Sequence, residues 1–286
     1  MNFGRQIHLK SPEELKVMRQ AGRINAEILA TVRSMIQPGV STADLNAAAE
    51  EVLKKHGCFS PFKNYGQPPY PASICTSVNE ELVHGIPSRK RILREGDIIS
   101  VDSGTVFEGF VADSATTVAV GEISPEAKRL LEVTEGALKA AIEKMCVGKR
   151  TGDISAAIQG YVESRGLQVT REYTSHGVGR QMHESPMVPN FGEAGTGQPL
   201  RPGMTIAIEP MVLVGTHATK VLRDKWTVVS ADGSLTAHFE HTVAVTEGDP
   251  LILTLPKRLT EFWTAWMKAF IMKCLPLWHD LKEIVE

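Results

Sequence analysis

One segment of this 286-residue chain recurs, and each copy carries an acid in an apolar strand. Residues 94–104 read Arg-Glu-Gly-Asp-Ile-Ile-Ser-Val-Asp-Ser-Gly, and residues 201–211 read Arg-Pro-Gly-Met-Thr-Ile-Ala-Ile-Glu-Pro-Met. In both, a turn closes at glycine and an apolar strand follows. A carboxylate then ends each repeated strand, six residues past the glycine: Asp102 after Gly96, Glu209 after Gly203. Burying such a carboxylate is costly unless its charge is compensated. Two of them related by duplication point to one shared compensator, and a metal ion is the natural candidate.

The duplication extends upstream. Ser11 caps a helix, Pro12 fits its first position, Glu14 can close a capping box, and Pro38-Gly39 stops the run. Leu15, Met18, Ile24, Ile28, Val32 and Met35 fall near helical spacing. A second helix starts after Ser41-Thr42 and ends at Gly57. Ser124-Pro125-Glu126 opens a third, expected to run to Val147-Gly148, and a fourth spans Thr151 to Gly166. At a shift of 109, Thr42, Asp44, Ala47, Ala48 and Gly57 meet Thr151, Asp153, Ala156, Ala157 and Gly166. Capping signals also recur by chance, but here the order of elements and the acid-bearing strand recur together. Each half therefore reads helix, helix, strands, an α/β chain of mixed (α+β) type.

Composition excludes some classes. The net charge is −2 with no basic run, which argues against a nucleic-acid partner. Cys58, Cys75, Cys146 and Cys274 are scattered without a Cys-x-x-Cys pair and read as reduced thiols. No apolar stretch follows Met1, and no uncharged run is long enough to span a membrane. The expected compartment is the cytoplasm.

Asp102 has a prospective partner in Asp113. A hairpin folded around residues 107–108 would place the two opposite each other, where they repel. A bridging cation removes the conflict; a shared proton, or one acid turned to solvent, is the alternative. Glu240 lies in His238-Phe239-Glu240-His241-Thr242, read as a strand, and His176 sits beside Gly177. A histidine in such a place is often structural, but four acids need a positive centre. Four carboxylates and a neutral imidazole carry −4, which two divalent ions balance. Two ions about 3.5–4 Å apart form a hydrolytic centre, and this donor set suits manganese, iron(II) or cobalt. His84, ahead of the first metal strand, and His183, past a glycine turn, could donate to an oxyanion or leaving nitrogen; each could equally be a packing or surface residue.

Together these residues resemble the type I methionine aminopeptidases over about residues 8–255. The stretches that carry the likeness run Asn79 to Pro87, Gly96 to Asp113, Ser175 to Glu184, Gly203 to Met211, and Phe239 to Thr242. The resemblance implies the pita-bread fold, with pseudo-two-fold helices around a curved antiparallel sheet. It implies a single catalytic domain over 1–256, built from pseudo-repeats at about 11–120 and 124–250. It implies Asp102, Asp113, His176, Glu209 and Glu240 as metal ligands, with Glu209 also handling the proton of the water. His183 would contact the scissile peptide and His84 the substrate beyond it. Tyr70, Cys75 and Trp226 would line the methionine pocket, though they could simply be core. The implied reaction removes the initiator methionine from nascent polypeptides with a small second residue. Such an enzyme would work near the ribosome and is expected to be a monomer. A proline-directed aminopeptidase or dipeptidase of the same fold is the alternative, but Arg-x-Glu-Asp would then stand where this chain has His238-Phe239-Glu240-His241. A non-catalytic binding relative is a third, disfavoured by the complete ligand set.

Four features depart from the resemblance. Ser175 stands where Gly is usual, His238 where Gln is usual, and Met182 where an aromatic is common, and residues 63–70 differ in spacing. On a strand, 238 and 240 share a face, so His238 could reach the metals or their surroundings. Beyond Leu255, residues 257–286 read as an amphipathic helical extension containing Leu259, Phe262, Trp263, Trp266, Phe270 and Ile271. It could dock on its own domain, meet a partner, or lie on a membrane surface.

Overall fold

The computed structural model describes residues 6–256, so the expected helical extension lies outside the described residues. One compact unit runs through Thr254. The first half holds α1 (Pro12–Met35), α2 (Thr42–Lys55), β1 (Ile74–Val78), β2 (Glu81–Val83), β3 (Ile98–Phe107) and β4 (Phe110–Ala119). The second half opens with α3 (Pro125–Ile142), α4 (Thr151–Glu163), β5 (Gln168–Val169), β6 (Thr174–Gly177), β7 (Glu184–Pro189) and β8 (Thr205–Ile208). It continues through β9 (Met211–Leu213), β10 (Thr219–Val221), β11 (Val228–Ser230), β12 (Thr236–His238), β13 (His241–Ala244) and β14 (Leu251–Ile252).

The helices start where their caps dictate. Ser11 Oγ accepts from Glu14 N–H at 3.2 Å, and Glu14 returns the bond from Ser11 N–H at 2.9 Å. Asp44 closes the same box on Ser41. Ser124 Oγ accepts from Ala127 N–H, and the Asp153 carboxylate accepts from Arg150 N–H. α3 stops at Ile142, short of the expected Val147-Gly148. The chain tightens there into three-residue turns, with Lys144 N–H bonded to Ala141 O and Met145 N–H to Ile142 O.

Each helix pair covers its own strands. Ile28, Val32 and Leu45 pack with Ile74, Ile99 and Val101. Leu130, Ile154 and Ile158 pack with Ile206, Ile208 and Val243. Strand alternation then turns Asp102 away from α1 and α2, and Glu209 away from α3 and α4. Both acids face the space between the halves.

All strand pairs are antiparallel, in sheets ordered β1-β3-β4, β10-β11-β2, β12-β9-β5 and β14-β13-β8-β6-β7. The β3–β4 hairpin turns at Glu108-Gly109, both at positive φ (48° and 78°). The register is therefore two residues off the expected one: Asp102 pairs with Ala115, and Asp113 with Gly104. Asp102 and Asp113 are diagonal neighbours on one face, which still brings the carboxylates together. Asp102 also lies within β3 rather than at its end, and Glu209 lies just past β8.

A short antiparallel pairing joins the halves. Glu240 N–H donates to Ala115 O at 2.9 Å, and Ala115 N–H to Glu240 O at 3.3 Å. On one side, Thr242 Oγ1 accepts from Asp113 N–H and donates to Asp113 O at 2.9 and 2.8 Å. On the other, Thr117 Oγ1 accepts from His238 N–H and donates to His238 O at the same two distances. Asp113 and His238 thus occupy equivalent positions about a local two-fold, as do Ala115 and Glu240, and Thr117 and Thr242.

Asn25 on α1 fastens the β3–β4 hairpin from below. Its Nδ2 donates to Ser103 O and Ser114 Oγ, and its Oδ1 accepts from Ser103 Oγ and Thr105 Oγ1. All of these groups are buried. Asn25→Ala is expected to destabilise the protein by about 2–5 kcal/mol, because it strands several buried partners. Urea denaturation checks this; a change below about 1 kcal/mol would contradict it.

Candidate metal centre

Ligating atoms of Asp113, His176 and Glu240 lie within 4.8 Å of one another, all buried. Glu209 adjoins them, its Oε1 3.3 Å from His176 Nε2. His176 Nε2 is also 3.9 Å from Asp113 Oδ2. Asp102 lines the same cavity. All five residues expected to hold metal therefore converge.

Local structure explains each placement. β6 pairs with β8 so that His176 faces Ala207, two residues before Glu209. Glu209 N–H donates to Ser175 Oγ at 3.0 Å, so the serine that departs from the usual glycine tethers the acid. Glu240 does not lie in a strand as expected; it sits in the break between β12 and β13, where its backbone is held by Ala115.

The electrostatics are incompatible with four free carboxylates. Burial raises Asp102 to about 7 and pushes Asp113, Glu209 and Glu240 well above the ordinary carboxylate range; Asp113 and Glu240 also repel their neighbouring acids. Burial pulls His176 down to about 3, leaving it neutral. Its Nδ1–H donates to Gly177 O at 2.9 Å, so Nε2 presents a lone pair toward Glu209 Oε1 and Asp113 Oδ2. Oδ1 of Asp102, Oδ1 of Asp113 and Oε1 of Glu240 are buried without hydrogen-bond partners. Lone pairs and orphaned oxygens aimed at one another are what divalent cations neutralise. The donor set fits such a group.

The cavity beside these groups has a volume of about 250 Å³. Cys75 enters it because β1 pairs with β3 with Cys75 opposite Asp102. Tyr70 is fixed by donating its hydroxyl to Gly85 O at 2.8 Å. Trp226 stands edge-on to Tyr70 at 5.2 Å, donates Nε1–H to Pro68 O, and lies against Gly66, where a Cβ would come within 2.5 Å of the ring. Met182 joins this apolar group. His84, at a φ of 60°, and His183 also line the cavity. Burial lowers both to about 4, so both imidazoles are neutral at pH 7.

Tyr65, not among the residues expected at the site, places its hydroxyl 2.8 Å from His183 Nδ1. Its place in the unusual 63–70 segment was the available signal. The His183 loop is itself anchored: Glu184 accepts from Lys10 Nζ at 2.6 Å and from the backbone N–H of Arg180 and Gln181.

Residues 16–247 match metallopeptidase family M24. The methionine aminopeptidase of Clostridium acetobutylicum is 51% identical over 249 residues, covering 87% of this chain and 99% of that protein. The chain belongs to family M24, among its methionine aminopeptidases. The crystal structure of a Thermotoga maritima methionine aminopeptidase superposes with a TM-score of 0.85 at 46% identity, covering 87% of this chain and 99% of that one. The architecture is thus the pita-bread fold. A prolidase from Pyrococcus horikoshii shares the fold, with a TM-score of 0.68 at 23% identity over 87% of this chain and 64% of that one. Family membership makes this M24 chain a metal-dependent hydrolase. None of its described helices is long and apolar enough to cross a membrane.

The raised acids set a pH dependence. Above about pH 7.5 the unfolded chain has ionised its carboxylates, and the histidines are largely neutral in both states. The folded acids release their protons later than the unfolded ones, with Asp102 raised to about 7 and Asp113, Glu209 and Glu240 held well above the ordinary carboxylate range by burial. Folding then takes up protons, so stability falls as pH rises. In chelator, the melting temperature is expected to fall between pH 7.5 and 8.5. Added divalent metal should raise it most at the alkaline end, because ligands bind deprotonated. Melting curves with and without manganese check this; a metal-free protein that gained stability across that window would contradict it.

Proposed function

We propose that this chain releases the N-terminal methionine from nascent polypeptides with a small second residue. The observation that carries this reading is an apolar, sulfur-compatible cavity opening directly onto the buried acid cluster. Tyr70, Cys75, Met182 and Trp226 supply aromatic edges and soft sulfur suited to a thioether. Burial keeps the Cys75 thiol protonated, so no charge competes with the methionine side chain.

Asp102, Asp113, His176, Glu209 and Glu240 would hold the metal, and the charge of four carboxylates favours a pair of divalent ions. One imidazole among oxygens suits manganese, iron(II) or cobalt. When bound, the ions supply Lewis acidity that lowers the pKa of water and polarises a carbonyl. Glu209, whose side chain keeps 12% of its surface exposed, would accept a proton from water and return it to the leaving amine. In this assignment Tyr65 would donate to Nδ1, so that His183 would carry its proton on Nε2 and donate it to the carbonyl oxygen of the scissile peptide. His84, neutral and edge-on to Trp226 at 6.1 Å, would contact the substrate beyond the scissile bond.

In this reading the chain would act as a monomer in the cytoplasm, near the ribosome where nascent N-termini emerge. The prolidase-type reading has fold-level similarity alone, and the Arg-x-Glu-Asp sequence is absent at 238–241.

A Met-Ala-Ser peptide should release methionine with manganese, cobalt or iron(II), and none after chelation. Asp102→Ala should lower the rate by at least about 10³-fold. No release with any of the three metals, or preferential cleavage of an Xaa-Pro peptide, would overturn the assignment. Tyr65→Phe should lower kcat by about 10-fold with little change in KM, since it frees the His183 tautomer without altering the methionine cavity. Steady-state kinetics on the same peptide measure this; an effect confined to KM would remove Tyr65 from that role.

A further inference from the structure

The roles above leave one buried polar atom of the centre unused. His238 is 2% exposed, and its Nε2 has no hydrogen-bond partner. It points between two of the acids, 3.6 Å from Glu209 Oε2 and 3.8 Å from Glu240 Oε2. Both separations exceed a hydrogen bond. They match those of His176 Nε2, at 3.3 Å from Glu209 Oε1 and 3.9 Å from Asp113 Oδ2. Atoms that each bind one ion at about 2.1 Å lie roughly 3–4 Å apart. Glu209 therefore has an imidazole at co-ligand spacing on each of its two oxygens.

We propose that His238 is a sixth protein ligand of the metal centre, with Nε2 binding the same divalent ion as the carboxylates of Glu209 and Glu240. This rests on the metal-centre reading given above and extends it. The local two-fold provides independent support. Thr242 clasps the backbone of Asp113 as Thr117 clasps that of His238, so His238 is the second half's counterpart of a ligand. Ala237, its strand neighbour, packs into the core under α3 and α4, which turns the imidazole to the opposite face, toward the acids. A second nitrogen donor would shift the preference of the site toward iron(II), cobalt and nickel and away from manganese.

Cobalt(II) provides a direct test, because each cobalt-bound imidazole gives one strongly shifted, solvent-exchangeable N–H proton signal. The loaded wild-type protein should show two, from His176 and His238. His238→Gln should retain one, and its weaker cobalt site, followed by titration calorimetry, should lose at least about 10-fold in affinity. Melting of the metal-free variant checks that it folds, and the wild-type spectrum decides the question even if it does not. A single shifted signal in the wild type, or two in both proteins, would overturn the proposal. Two signals without methionine release would refute the activity and leave the ligation standing. Methionine release with one signal would refute the ligation alone.

Discussion

The site depends on the pairing of residues 113–117 with 238–242. Its centre is an ordinary antiparallel pair between Ala115 and Glu240. On either side a threonine hydroxyl takes the place of a ladder bond, satisfying the N–H and C=O of one facing residue. Both threonines are buried, so losing either hydroxyl would leave two main-chain groups without water or partner. The residues clasped in this way are Asp113 and His238, and Glu240 is held by the central pair itself. The hydrogen bonds that place these residues thus also help to hold the two halves together.

That pairing has to withstand unfavourable electrostatics. Packing α1 and α2 on one sheet and α3 and α4 on another drives every acid on the far faces into the same enclosed space. Protons can relieve the repulsion, as the raised acids show, and so can cations. The polar contacts that hold the scaffold are kept apart from this conflict. Asn25 is fully satisfied beneath the β3–β4 hairpin, and Lys10 neutralises Glu184 at the base of the His183 loop. Unpartnered oxygens stand among the candidate ligands Asp102, Asp113 and Glu240, while Asn25, Lys10 and Glu184 beside them stay paired.

Much of this was legible in the sequence, for reasons that are local. Ser11, Ser41 and Ser124 mark helix starts because a cap is a contact within four residues. The duplicated Gly-to-acid strand pointed to Asp102 and Glu209 because alternation fixes which face an acid takes. The β3–β4 register was missed because moving a two-residue turn by one position shifts every pair by two, and Glu108-Gly109 itself forms the turn. The break at Phe239-Glu240 was missed because nothing within that segment breaks a strand; the cause is Ala115, far away in sequence. Tyr65 meeting His183 and Ser175 meeting Glu209 are likewise tertiary contacts, with no periodic signal to announce them.

The departures from symmetry follow from charge. A strict duplication would place an acid at 115 to match Glu240, and one at 238 to match Asp113. Ala115 pairs directly with Asp102 and Glu240, so an acid there would press a carboxylate against two others. Six carboxylates would exceed what a pair of divalent ions balances by two charges, inside a space where unbalanced charge is expensive. Ala115 removes one excess acid by deleting the group. His238 removes the other while keeping a lone pair in the same position, so the half that carries His176 gains a second neutral donor. The duplicated backbone sets where ligands can stand, and the charge limit decides which of those positions hold carboxylates.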